Sequence, residues 1–161
     1  MNRRLLPLVA IAALVAACAS QPMSTPVSIA DTIAHDPQLS TLNGLVQSAG
    51  LDSTLKAQGP YTLFAPTNDA FKAVPAKTMD DLAHNPARLK DVLSYHVLPG
   101  KVMAADVKNG NAKTVEGANV ALSKAGNFVT VEEAMVQRAD IVASNGVVHT
   151  VDRVLMPPAK P

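Results

Sequence analysis

The chain has 161 residues, 48% of them apolar and 17% charged. That balance supplies a core for one domain and excludes a disordered chain. A formal charge of +1 excludes the basic field that nucleic-acid binding requires. The single cysteine, Cys18, excludes an intramolecular disulfide and any multi-cysteine metal site.

The N-terminus carries an address. Arg3 and Arg4 precede an apolar run, Leu5 to Ala17, of 13 residues interrupted only by Pro7. A bilayer core needs about 20 residues, so the run fits the apolar stretch of a secretory signal peptide over residues 1–17. Val15-Ala16-Ala17-Cys18 resembles a bacterial lipobox, in which the Cys18 thiol is acylated and the peptide is cut before it. Residues 18–26 are then a lipid-anchored tether. The alternative is ordinary cleavage after Ala17-Cys18-Ala19, an A-x-A-like site, which gives a soluble periplasmic or secreted protein. A buried structural cysteine does not suit a position between a signal-like run and a polar linker. Ala19 rather than Asp after the cysteine implies an outer-membrane lipoprotein, facing the periplasm or the cell surface, if the host has two membranes. Residues 19–26 are rich in Ser and Pro and reach about 28 Å at most. The folded domain is expected over 27–158. Its C-terminal end, Pro157-Pro158, continues neither a helix nor a central strand.

The first half of the domain reads as helices. Ser28 with Asp31 is a capping-box variant. Leu39, Leu42, Leu45 and Val46 form an apolar stripe on a helix of about a dozen residues, with Gly50 as its stop. Leu51 to Ala57 predicts a shorter helical turn. Tyr61 to Ala65 predicts a strand ended by Pro66, after which Thr67 or Asn68 caps a brief helix carrying Phe71. Thr78 with Asp81 repeats the capping pattern. Asn85-Pro86 opens a helix with Leu89, Val92 and Leu93 on one face, running into Tyr95-His96 and ended by Pro99-Gly100. The second half turns to period two. Strands are expected at 113–115, 119–122, 128–131, 134–137, 141–143 and 147–155. Lys124 to Asn127 reads as a hairpin turn, Asn109 to Asn111 as a turn only, and Asn145-Gly146 as a tight turn with positive φ. Helices followed by strands make the fold class α+β.

Three stretches, YTLFAPTNDAF (61–71), LSYHVLPGKV (93–102) and ASNGVVHTVDRVLMPP (143–158), together resemble the fasciclin-like domain family in order and spacing. The resemblance implies a wedge of about seven β-strands packed with several α-helices. It implies roles in cell adhesion and in protein contact outside or on the surface of cells, with no characteristic catalytic activity. Phe64, Pro66, Thr67, Asn68, Phe71, Asn145, Gly146, His149 and Asp152 then read as residues of the fold. In Pro66-Thr67-Asn68 a strand must stop and a helix must start, which proline and a capping side chain accomplish.

The resemblance also marks interaction candidates. Tyr95-His96 matches a tyrosine–histidine motif implicated in adhesion by animal members, although apolar Leu93, Val97 and Leu98 also suit a core histidine bonded to a buried carbonyl or hydroxyl. Asp140-Ile141 stands where the family has an Asp-Ile adhesion motif, with Ala139 in place of the usual Pro or Lys; an Asp capping local amides is the other reading. His149 and Asp152, three apart on a strand, fall on opposite faces and make no metal pair. There is no G-x-S-x-G, H-E-x-x-H, P-loop or dinucleotide fingerprint. The adjacent carboxylates Asp80-Asp81 and Glu132-Glu133 read as solvated surface. The expectation is a non-catalytic envelope or surface protein without cofactor or metal, whose partner is an envelope or matrix protein or a polysaccharide. It meets no nucleic acid, and the membrane only through its anchor. A small-ligand binder, taking a lipid or polysaccharide into a cleft, is the contrasting expectation.

Overall fold

A computed structural model describes residues 27–158; the readings on residues 1–26, including Cys18, lie outside it. Ser28 opens helix α1 (Ile29–His35) by accepting from the Asp31 amide, while the Asp31 carboxylate reaches back to the Ser28 amide. A 3-10 turn at Pro37–Leu39 leads into α2 (Ser40–Ser48), and Gly50, at φ 68°, lets the chain leave it. Leu39, Leu42 and Val46 are buried, so the predicted apolar stripe faces the core although the helix itself is shorter than expected. Helix α3 (Asp52–Lys56) precedes strand β1 (Tyr61–Pro66). Thr67 caps α4 (Asn68–Lys72), and α5 (Ala76–His84) and α6 (Pro86–Tyr95) complete the helices.

The strands after β1 are β2 (Val97–Pro99), β3 (Gly110–Lys113), β4 (Asn119–Ala125), β5 (Phe128–Val131), β6 (Ala134–Ala143) and β7 (Gly146–Val151). They form one sheet in the order β2-β1-β7-β6-β5-β4-β3. The β1–β7 pair is parallel and every other pair is antiparallel. The Val115 amide donates to the Val97 carbonyl at 2.8 Å, so the sheet nearly closes on itself as a wedge. All six residues of β7 are buried. That is the burial of a central strand covered on both faces; its valines suit it, and His149 and Thr150 are buried polar exceptions.

Two cores result. Leu63 and Ala65 of β1 join Ile29, Ile33, Leu42 and Leu93 beneath the helices. Phe64, between them, points the other way, to Leu98, Val120, Val131 and Leu155 inside the wedge. The period-two geometry of the strand makes this division.

Several local expectations are corrected. Thr78 and Asp81 do not cap: α5 starts at Ala76 behind Pro75, which places Thr78 already inside its first turn. Asn109 to Asn111 is more than a turn, because β3 begins at Gly110, where φ is 147°. Lys124 and Ala125 belong to β4, and only 126–127 turn. The two segments at 134–137 and 141–143 are one bulged strand, β6. Neither Asn145 nor Gly146 has positive φ. Glycine is required at 146 because a Cβ there would collide with the Tyr61 carbonyl and with Ile29 Cδ1.

Candidate functional site

Asn85 accepts from the Arg88 amide at 3.1 Å and sets the start of α6, with Pro86 at a position where no N–H is needed. Leu89, Val92 and Leu93 turn inward, and this fixes where the helix delivers Tyr95 and His96. His96 is completely buried. Its Nδ1–H donates to the Val92 carbonyl at 2.7 Å, and Nε2 accepts the Leu155 amide at 2.9 Å. An acceptor at Nε2 requires the Nδ1-protonated neutral ring. Burial pushes its pKa down to about 4, against a smaller opposite effect of the Val92 bond.

Tyr95 is 3% exposed. Its hydroxyl donates to the Asn119 carbonyl at 3.0 Å and lies 3.3 Å from Glu132 Oε1. Burial first, and the Glu132 charge second, push its pKa up to about 12. Tyr95 and His96 are therefore corrected as contact residues, since neither offers a partner an accessible side chain. The apolar neighbours that suggested burial decide their place.

His149 is buried on β7, opposite Phe64 of β1 in the parallel register, and the two rings stack at 5.6 Å. Its Nε2–H donates to the Val102 carbonyl at 2.8 Å, and Nδ1 accepts the Asp140 amide at 3.1 Å. This is the other tautomer from that of His96. Burial lowers its pKa, opposed by the Val102 bond and the Asp140 charge. All four ring nitrogens of the two buried histidines are thus committed to backbone groups, leaving no free lone pair for a ligand.

Asp140 sits in the β6 bulge at φ 59°, between Arg138, paired with Thr150, and Ile141, paired with Val148. Its carboxylate accepts the Ala104 amide at 2.7 Å. Ile141 is half-buried against the helical core, while Ala139 and Asp140 are exposed and the next residue, Val142, is 60% exposed. Beyond Met135, β6 has strand pairing only on its β7 side among the described residues.

The remaining motif residues serve the backbone. Asp152 accepts the Met135 amide at 2.7 Å. Asn68 accepts the Thr41 amide at 3.0 Å and donates to the Pro37 carbonyl at 3.0 Å, so it pins α2 instead of capping α4. Phe64 and Phe71 are buried. Among the described residues no three His, Cys, Asp or Glu side chains come together as metal ligands. Two anchoring residues escaped the sequence reading. Glu132 is not simply solvated: at φ 54° in the β5–β6 turn its carboxylate folds back onto the Ala121 amide at 2.8 Å. Arg138 of β6 pairs with Asp36, which itself caps the 3-10 turn. A lone Arg and a lone Asp 102 residues apart leave no sequence signal.

A nearly closed α+β wedge, with its buried motif side chains hydrogen-bonded to its own backbone, defines a scaffold type of domain. The chain belongs to the fasciclin domain family, whose model matches residues 37–157. It is 42% identical over 134 residues to protein sll1483 of Synechocystis, covering 82% of this chain and 74% of that one. It is 40% identical to the transforming growth factor-beta-induced protein ig-h3 of Sus scrofa, over 86% of this chain but 20% of that one. The immunogenic protein MPB70 of Mycobacterium bovis is 38% identical, with coverage of 83% and 70%. The chain therefore spans most of its bacterial relatives and a fifth of the animal one. Among solved structures, a FAS1 domain pair from the insect cell adhesion molecule Fasciclin I matches with a TM-score of 0.65 at 15% identity, over 81% of this chain and 51% of that one, which establishes a shared fold.

Proposed function

We propose that this protein is a non-catalytic contact module of the cell envelope, exported and anchored through an acylated Cys18, and that it binds an envelope or matrix protein through the outer side of β6. The observation that carries the reading is β6 itself. From Val136 to Val142 the strand has strand pairing on one side only among the described residues, its bulge leaves Ala139 and Asp140 exposed, and Val142 stands 60% exposed. An open strand side offers backbone hydrogen bonds to an extended segment of a partner, and alternate exposed side chains add selectivity. The family's model match and the adhesion molecule that shares the fold support the same direction.

The test places a photo-reactive residue at Val142 in intact cells, with a control at exposed Lys77 on α5. The expected result is one recurrent envelope or matrix protein captured from position 142 and absent from position 77. Equal capture from both positions, or none from 142, overturns the reading.

A further inference from the structure

A cleft of about 650 Å³ lies between the α4–α5 connection, the first turns of α5 and α6, and the run that follows β7. Ligand pockets commonly measure about 300–1,000 Å³ and combine apolar walls with a few fixed polar groups. This one does both. Ala70 and Val92, 1% and 2% exposed, make its floor. Val74 and Pro75 form one wall, and Met156, an exposed large apolar side chain at 41%, stands at the rim.

Four charges line the cleft, and three are engaged. Asp152 holds the Met135 amide, and Glu133 pairs with Arg153 at 3.5 Å. Arg88, exposed on the first turn of α6, enters none of the ion pairs found among the described residues. The cleft therefore offers one uncommitted guanidinium above an apolar floor. A guanidinium presents a planar fork that matches a carboxylate with two parallel hydrogen bonds.

We propose that this cleft binds an amphipathic anion, a carboxylate on a medium-length alkyl body. Arg88 holds the carboxylate, and the alkyl body lies along Val92, Val74 and Met156. A flexible thioether at the rim adapts to bodies of different length. The site shares no residue with the β6 surface, so either proposal stands or falls alone.

The test is an NMR titration of the whole, isotope-labelled chain with octanoate, and with octanol as the uncharged body. Octanoate at millimolar concentration is expected to shift the amides of Val74, Val92 and Met156 saturably, and octanol to bind about tenfold more weakly, the effect of one charge-assisted contact. Arg88→Gln, checked for unchanged melting, should lower octanoate affinity about tenfold and leave octanol binding as it was. Met156→Glu should weaken both. Shifts that do not saturate, shifts confined to other parts of the fold, or equal octanoate binding by Arg88→Gln overturn the proposal.

Discussion

Asn145 and Ile29 stand 116 residues apart and share a 2.9 Å hydrogen bond, in which the side-chain oxygen of Asn145 accepts the first amide of α1. The Nδ2 of the same side chain donates to the carbonyls of Leu55 and Ala57, at 2.7 and 2.8 Å. The Asn145 carbonyl accepts the Tyr61 amide at 3.0 Å. One asparagine thus ties together the start of α1, the end of α3, the start of β1 and the start of β7.

Asn145→Ala leaves one amide and two carbonyls without their partner. Losing a partly buried polar partner costs roughly 1–3 kcal/mol, and since water reaches some of these groups the expected total is roughly 2–4 kcal/mol. Urea unfolding measures it. Asn145→Asp should recover only part, because a carboxylate accepts from Ile29 but cannot donate to Leu55 and Ala57. A loss below about 1 kcal/mol for the alanine variant would show that water replaces the side chain.

Stability should fall on mild acidification. The unfolded chain protonates a histidine near 6.5, whereas folded His96 does so only at about 4. Between those values the unfolded state binds more protons, so stability decreases as pH falls from about 6.5 toward 4. His96 alone contributes roughly 3 kcal/mol to this loss, and the lowered pKa of His149 acts in the same direction. Urea midpoints measured from pH 8 to pH 4 should stay level above 7 and then drop. His96→Gln should be less stable at pH 7 and show a shallower drop. A level wild-type profile down to pH 4.5 would contradict the neutral buried ring.

Two glycines separate conformational strain from collision. At Gly126, φ is 60° and an added Cβ meets nothing within 4 Å, so Gly126→Ala should cost about 1–2 kcal/mol. At Gly146 the added Cβ would strike the Tyr61 backbone across the β1–β7 pair, and neither central strand can retreat. Gly146→Ala should exceed about 4 kcal/mol or prevent folding altogether. Comparable melting temperatures for the two variants would refute the collision.

Cys18→Ser tests the address. In a detergent fractionation of cells the variant should leave the membrane fraction, because the proposed acylation at Cys18 could then not occur. Continued extraction only by detergent would refute lipid anchoring at Cys18.

What the sequence made legible was local. Ser28 with Asp31, Thr67 or Asn68, and Asn85 with Pro86 each announce a helix start within four residues of chain; the first and last cap as expected, and of the middle pair it is Thr67 that caps. The YTLFAP and FVTV runs became β1 and β5 at nearly the expected bounds. Long-range roles left weaker traces. Asn145-Gly146 reads as a turn dipeptide, yet Asn145 is needed for three segments distant in sequence and Gly146 for the approach of β1. Thr78 has capping chemistry, but Pro75 fixes the backbone one turn earlier. Glu132 beside Glu133 looks solvated until the turn's positive φ aims it inward. At the candidate site, the apolar flanks of Tyr95-His96 announced their burial, whereas the one-sided pairing of β6 is a property of the assembled sheet that no single segment encodes.

The place of β7 in the sheet bears on when the protein can fold. β7, the last of the described strands to be synthesised, lies between β1 and β6, and among the described residues it supplies the only strand neighbour that β6 has past Met135. Until residue 151 exists, β1 has no parallel partner, His96 has no Leu155 amide to accept, and α1 has no Asn145 to hold its first amide. Contacts this distant in sequence close late and slowly. The nascent chain consequently cannot complete this sheet before β7 has been made, and the parts laid down earlier must wait for it.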